Sequence, residues 1–493
     1  MSAPWLLPLL ALGLPTSFGL WILYRARIPY ADERVLRAFS LASVILTPLA
    51  VLLLYTFEGA LQLQIAPQMT IHLAIDPTGT LFVGVASVLW ILTVVYSLGY
   101  MPPGKPGNGR FFGYLVMAQG AVVGIALAQN LLTLYVFYEA LTLATYPLVT
   151  HKGTPPAITA GRTYITYSLG GAALVLAGMV GLQSMHGDLV FLPGGFLSGQ
   201  AGSVPPLFFF ALVLGFGVKA ALMPFHGWLP RAMIAPTPVS ALLHAVAVVK
   251  AGVFGVLRVV YGVFGIDILQ DLGVAQTISA LALVTILLAS VLALRQDVLK
   301  TRLAYSTVAQ LSYIVLGISL LSPLGLTGAM IHLVNHALLK VVLFFAVGVI
   351  ANETGVDRLS QMAGMGRRLP LTMGAFTLAS LGLIGVLPTN GFWGKWHLIT
   401  GSIEAGHILP ALTLIVSALA AGLYLLPISM KAFLEAGDTE APAGAEAPGS
   451  MVYPILALTG IAMVMGVYPA PLVRLAAWVA GSMLGGDWMM TGW

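Results

Sequence analysis

Residues 330–350 read MIHLVNHALLKVVLFFAVGVI, an apolar stretch that carries His332, His336 and Lys340. In a helix, positions i, i+4 and i+8 stack on one face about 6 Å apart. A stacked row of titratable groups is what a proton path requires. Imidazole titrates near neutrality, and burial brings an ammonium towards the range where it can exchange its proton. The structural alternative for such a histidine is an interhelical hydrogen bond. We assign that role to His226 and His397, which lie near predicted helix breaks.

Five more ionisable groups fall in apolar runs. Glu139 lies midway along LLTLYVFYEALTLATYPLV, and Lys219 precedes Pro224 by five residues in FFFALVLGFGVKAALMPFHGWLP. A proline has no N–H to donate, so the helix should bend or break beside that lysine. Lys395 follows a Pro-Thr-Asn-Gly interruption in LIGVLPTNGFWGKWHLI. Broken helices are tolerated within a bilayer where they line a cavity or are covered by protein. His244 and Lys250 share one run, PTPVSALLHAVAVVKAGVFGVL. Six residues turn a regular helix by about 600°, so they fall on different faces unless the helix is distorted. A charge at mid-bilayer costs about 2.5–3.5 kcal/mol on insertion scales, so these groups call for a reason. One is coupling: a carboxylate moving towards or away from an ammonium switches it between holding and releasing a proton. That device needs no cofactor and no metal.

The elements that position these residues are transmembrane helices. The 493-residue chain is 59% hydrophobic and 8% charged, against roughly 25% charged for a soluble domain. Its mean hydropathy is +0.96. Lipid must therefore be the solvent for most of the surface. Cysteine is absent, which excludes disulfides and thiolate chemistry. No glycine-rich phosphate loop appears, and the net charge of +5 reflects basic loops rather than nucleic-acid binding. The N-terminal apolar run lacks a preceding basic segment and reads as a retained helix, not a signal peptide.

About fourteen spans are expected, starting near residues 4, 37, 79, 111, 130, 163, 206, 237, 272, 303, 324, 371, 409 and 451. Loops after odd-numbered spans carry the basic residues, from Arg25 and Arg27 through Lys105, Arg110, Lys152 and Arg231 to Lys431. Loops after even-numbered spans carry no Lys or Arg, only acids such as Glu58, Asp76, Asp188, Asp271 and Glu404. The positive-inside rule then puts both termini outside a cell (plasma) membrane. Arg258 and Arg474 are expected to snorkel at outer helix ends, and Arg295, Asp297, Lys300 and Arg302 to form an exposed, topogenic loop cluster.

The stretches KAALMPFHGWLPRAMIAPTPVSALLHAVAVVKAG, DVLKTRLAYSTVAQLSYI, HLVNHALLK and LPTNGFWGKW resemble the antiporter-like subunits of respiratory complex I, Mrp-type multisubunit Na⁺/H⁺ antiporters and membrane-bound hydrogenases. The similarity runs from about residue 70 to 435. The resemblance implies an all-α polytopic membrane protein with two inverted five-helix repeats, helices four to eight and nine to thirteen, in which helices seven and twelve are broken. Residues 1–110 would hold helices one to three, 111–262 the first repeat, 272–435 the second, and 451–493 a C-terminal helix and tail. It also implies a mid-membrane charge axis. Glu139 would pair with Lys219, Lys250 with His244 nearby would bridge, Lys340 flanked by His332 and His336 would be central, and Lys395 terminal.

The expected function is proton translocation, with Na⁺ exchange as a variant, by a subunit without its own catalytic centre and partnered by other membrane subunits. In length the chain is similar to the D-type Mrp subunit; a complex I or hydrogenase pump subunit is the alternative. Two other classes compete with it: a redox subunit using membrane histidines as haem or quinone ligands, and a scaffold that has lost transport. An ammonium has no ligand role beside a haem iron, and no key charge is missing.

Overall fold

The computed structural model describes residues 5–28, 32–200, 204–437 and 446–485. It is predominantly helical, and eleven helices among the described residues are long and apolar enough to cross a membrane. In chain order the first are α1 (Leu6–Arg25), α2 (Glu33–Thr56), α3 (Pro77–Tyr100), α4 (Asn108–Leu127), α5 (Leu131–Val149) and α6 (Pro155–His186). Next come α7 (Pro206–Lys219), α8 (Thr237–Phe264), α9 (Val274–Leu294), α10 (Leu299–Ser319) and α11 (Pro323–Thr354). α12 lies in two halves, Pro370–Ile384 and Gly391–Glu404, followed by α13 (Ile408–Leu434), α14 (Gly449–Val467) and α15 (Ala470–Leu484). The first half of α12, with α7 and α15, is apolar but short. The C-terminal part thus holds two helices among its described residues where the sequence led us to expect one.

One element departs from the all-helical expectation. Leu61–Ala66 (β1) and Met69–Leu73 (β2) form an antiparallel hairpin, with Leu61 opposite Leu73 and Leu63 opposite Ile71. Its first strand, LQLQIA, alternates apolar and polar with the period of two that favours a strand. Gln68 turns the chain with a φ of 61°.

Helix ends follow local chemistry. The Ser322 hydroxyl accepts from Gly325 N–H at 3.1 Å, Pro323 opens α11, and Gly355 closes it with a φ of 72°. These are the capping preferences of an isolated helix. Between its caps α11 is the centre of the molecule, for every residue from Gly325 to Ile350 is buried. Lipid supplies no hydrophobic drive between helices, so close packing and buried hydrogen bonds must hold it. Glycine makes the close packing possible. A Cβ on Gly328 would lie 2.7 Å from Leu398 N, and one on Gly401 2.6 Å from Gly325 N. On the other side the Tyr96 hydroxyl of α3 donates to Phe345 O at 2.9 Å.

Both prolines break their helices. α7 stops at Lys219 itself, where the break was expected, and the chain is irregular until Trp228. The carbonyls freed there find donors: Trp228 Nε1 donates to Val218 O at 2.8 Å. In α12 the break runs from Gly385 to Asn390. Ile384 O accepts from Lys395 Nζ at 2.8 Å, and Asn390 O from Asn335 Nδ2 at 2.6 Å. Asn390 Nδ2 returns a bond to Asn335 Oδ1 at 3.0 Å, so α11 holds the break in place. α8 is the distorted case. It unwinds at Val246 and Ala247, between His244 and Lys250, and ends in a π-helical turn from Arg258 to Phe264.

Candidate functional site

The two helix breaks mark the ends of a buried row of ionisable groups, and each presents a lysine. Lys219, the last residue of α7, is fully buried. Its Nζ lies 3.3 Å from Glu139 Oε1 and donates to Tyr138 O at 2.5 Å. The same ammonium lies 3.2 Å from the centroid of the Tyr138 ring. Glu139 keeps 18% of its side chain exposed and accepts from Thr142 Oγ1 at 3.3 Å. The pair is therefore asymmetric, with the cation inside and the carboxylate reaching the outer surface of α5.

Inward from this pair, α8 lies against the α7 break. A Cβ on Gly252 would stand 2.4 Å from Ala220 N and 2.8 Å from the carbonyl carbon of Lys219. Two residues earlier, Lys250 is buried, and its ammonium has no hydrogen-bond partner. His244 is equally buried, with neither ring nitrogen partnered, its ring 4.8 Å from Phe344. The unwound turn of α8 thus separates two groups that both face α11. His336 is within electrostatic reach of Lys250, Lys340, His332 and His244 together.

On α11 the expected stack is present. The His332 and His336 rings lie 6.2 Å apart, and all four of their nitrogens are buried without partners. Lys340 is different: its Nζ donates to Leu303 O at 3.0 Å and Ser306 Oγ at 2.9 Å, both on α10. Ser306 Oγ in turn accepts from the Tyr424 hydroxyl of α13 at 3.1 Å. At the other end of the row Tyr313 of α10 lies between neighbours. Its ring is 5.2 Å from His332 and 5.3 Å from Lys395 Nζ, and its hydroxyl donates to Leu414 O at 3.2 Å.

All eight candidate residues are therefore brought into one band through the molecule, from α5 to α12. Several neighbours escaped the sequence reading: Tyr138, Tyr313, Ser306, Tyr424 and the buried Gln310, whose amide atoms are unpartnered. Hydroxyls and rings are ordinary in membrane helices, and only their position beside a lysine distinguishes them. His226 is half-buried, with its Nδ1 unpartnered and its ring 6.1 Å from Tyr305. His397 Nδ1 contacts Trp393 O at 2.7 Å.

Three cations differ from expectation. Arg258 does not snorkel; it is 3% exposed and forms a fork with Asp76, at 2.5 and 2.8 Å. The pair lines a cavity of about 240 Å³ with Gln129, Phe191 and Tyr261. Two members of the supposed exposed loop cluster are also tied down. Arg302 donates to Gln296 O at 2.7 Å and Tyr424 O at 2.9 Å, and Lys300 to Ala235 O at 3.1 Å. For Arg302 and Lys300 a backbone carbonyl, invisible in sequence, supplies the partner.

Comparison with known proteins gives a consistent picture. Residues 128–421 match the transmembrane family described as NADH:quinone oxidoreductase/Mrp antiporter. The chain is 34% identical over 430 residues to NADH-quinone oxidoreductase subunit N of Desulforudis audaxviator, covering 83% of this chain and 84% of that one. It is 35% identical over 357 residues to Na(+)/H(+) antiporter subunit A1 of Staphylococcus haemolyticus, covering 69% of this chain but only 44% of the relative. Among solved structures, a chain of the Mrp complex from Dietzia sp. superposes with a TM-score of 0.87 at 21% identity, covering 99% of both chains. A chain of respiratory complex I from Thermus thermophilus superposes at 0.81, with 23% identity, 97% of this chain and 100% of the other.

Proposed function

The chain belongs to the NADH:quinone oxidoreductase/Mrp antiporter family of membrane-spanning subunits, and from that premise we propose that it is a proton-translocating subunit of a multisubunit membrane complex. The observation that carries the proposal is the buried row itself. Lys250, His244, His336 and His332 present unpartnered polar atoms in succession between two lysine-bearing helix breaks. Unpartnered buried polar groups cost free energy that a merely structural role does not recover. Hydrating and protonating them in turn is the use that supports the reading.

In the proposed path a proton enters near Lys219 or Lys250, crosses by His244, then along the row Lys340, His336 and His332, and leaves from Lys395. Glu139, the partly exposed partner of Lys219, couples that step to a neighbouring subunit by moving towards or away from the ammonium. Moving one charge against 100 mV requires about 2.3 kcal/mol, so the drive must come from a partner subunit or an opposing ion gradient. The proposal includes fourteen spans in a plasma membrane with both termini outside. It also includes inverted repeats over residues 111–262 and 272–435, flanked by segments 1–110 and 451–493. Na⁺ exchange is part of the proposal only for an Mrp-type assembly.

A second reading is a pump subunit of a redox-driven complex. The 84% coverage of an NADH-quinone oxidoreductase subunit favours it, while the fold match to the Mrp complex chain is equally complete. ΔpH formation in vesicles of the purified native complex, with a subunit inventory, separates the two. Na⁺-driven proton movement without redox subunits means an exchanger. Pumping that begins only on adding an electron donor means a redox machine. Unchanged transport after both Lys219→Ala and Lys395→Ala, in an assembled complex, would refute both.

A further inference from the structure

The lysines at the two helix breaks share a surrounding that the other two buried lysines lack. Lys219 Nζ lies 3.2 Å from the ring centroid of Tyr138, and Lys395 Nζ 5.3 Å from that of Tyr313. Both rings are fully buried. Both phenols are anchored away from the ammonium, Tyr138 to Gly215 O at 3.4 Å and Tyr313 to Leu414 O at 3.2 Å. Each lysine also donates to a backbone carbonyl, Lys219 to Tyr138 O of α5 and Lys395 to Ile384 O at the α12 break. Lys340, in an unbroken helix, has a carbonyl and a hydroxyl but no ring, and Lys250 has no hydrogen-bond partner. The tyrosines come from α5 and α10, which the proposed inverted repeats make equivalent. The same solution therefore occurs twice, in unrelated local sequences: LYVFYEAL around Tyr138 and VAQLSYIVL around Tyr313.

We propose that Tyr138 and Tyr313 are positioning residues, each offering the face of its ring as the seat of a break lysine's ammonium during translocation. A ring face attracts a cation through its quadrupole and holds a neutral amine far less, and the attraction grows as water is excluded. A backbone carbonyl accepts from either form of the amine, more strongly from the charged one, and the ring widens that difference. The ring therefore distinguishes the loaded lysine from the empty one without adding a second charge to the membrane interior. At Lys219 it complements Glu139, whose attraction varies as that carboxylate moves. Lys395 has no carboxylate partner among the described residues, so the Tyr313 ring acts there beside the Ile384 carbonyl alone. Tyr313 also stacks on His332 at 5.2 Å with planes 25° apart, so the seat adjoins the group that would deliver the proton.

The inference rests on the proposed path, and the experiment keeps the two apart. In the native complex, Tyr313→Phe keeps a ring with an intact quadrupole. The same phenylalanine bearing one, two and three fluorines keeps its shape while its face loses negative potential. Ion-driven or redox-driven ΔpH formation should fall stepwise along the series, by about tenfold in all, the range a desolvated cation–π contact covers. Tyr313→Leu should match the fully fluorinated ring. A second series at Tyr138 should fall in the same order but less steeply, because Glu139 remains. Assembly is followed by co-purification, so every rate refers to intact complex. A flat response to fluorination at Tyr313 overturns the seat, whatever Tyr313→Leu does, since packing alone does not sense the quadrupole. Unchanged transport on Lys395→Gln would instead overturn the path on which it rests.

Discussion

Lys250 is where a structural and a functional reading of this molecule make opposite predictions. A buried ammonium with no protein hydrogen-bond partner costs several kcal/mol of desolvation that no protein contact repays. If the residue served stability, replacing it would weaken the fold. Lys250→Met, of similar length and apolar, should instead leave the complex as heat-stable as before or more so, while ΔpH formation is lost. Parallel melting and transport assays check this, and a lower melting temperature with retained transport would contradict it. Arg258 is the converse. Its guanidinium makes two bonds to Asp76, whose carboxylate is partly exposed and also accepts from Gly79 N–H, so Arg258→Met should cost about 1–3 kcal/mol, read as a fall in melting temperature. Outside the membrane, burial and then Arg110 and Lys152 push the His151 imidazole down to about 4. Its folded-state affinity for protons lies below the unfolded value near 6.5. The unfolded chain therefore binds the extra proton between those values, and stability is lost as pH falls from about 6.5 towards 4. His151→Gln should flatten that part of the melting-temperature profile relative to wild type. The lysines and histidines were legible in the sequence because a charge in an apolar run stands out. Their partners were not: Tyr138 O, Leu303 O and Ile384 O are backbone carbonyls, and no residue type announces which one a lysine will find.

Elements were legible where chemistry interrupts a pattern. Pro224 and Pro388 predicted both breaks, because a missing N–H acts locally. The unwinding of α8 at Val246 and Ala247 had no such mark, for it lies in a run of Val and Ala. The β1–β2 hairpin did carry a period-two signal in LQLQIA, but one too short to stand out beside the long apolar runs. Helix contacts, too, depend on what faces a glycine. In the second half of α12, a Cβ on Gly394 would lie 3.0–3.2 Å from the backbone and Cβ of His332. Gly394→Ala should therefore push this half-helix off α11, cost about 1–3 kcal/mol as overpacking does, and slow transport by displacing Lys395 one residue away. Gly460→Ala in α14 is the control, since nothing lies within 4 Å of its Cβ; melting and transport should stay at wild-type values. Equal behaviour of the two variants would show that the α11–α12 seam does not depend on close approach.

At the scale of the whole molecule, the charge pattern is expected to orient the protein, and the proposed path would cross it sideways. The row from Glu139 to Lys395 links α5, α7, α8, α11 and α12, elements far apart in sequence, and it is the buried α11 that joins the two ends. A path lying along the membrane can perform vectorial transport only if its ends open to opposite faces, so orientation is part of the mechanism. The basic residues of alternate loops give that orientation through the positive-inside rule, and the chain's lack of cysteine makes it directly measurable. Lys105 and Asp271 are both exposed loop or loop-edge residues, predicted to lie on opposite faces. In intact cells a membrane-impermeant maleimide should label Asp271→Cys and leave Lys105→Cys untouched until the membrane is opened. The reverse pattern would invert the termini and with them the direction proposed for the proton. Labelling of both from outside would mean that a span between them has been misplaced, and the alternation of loop charge would then need another cause.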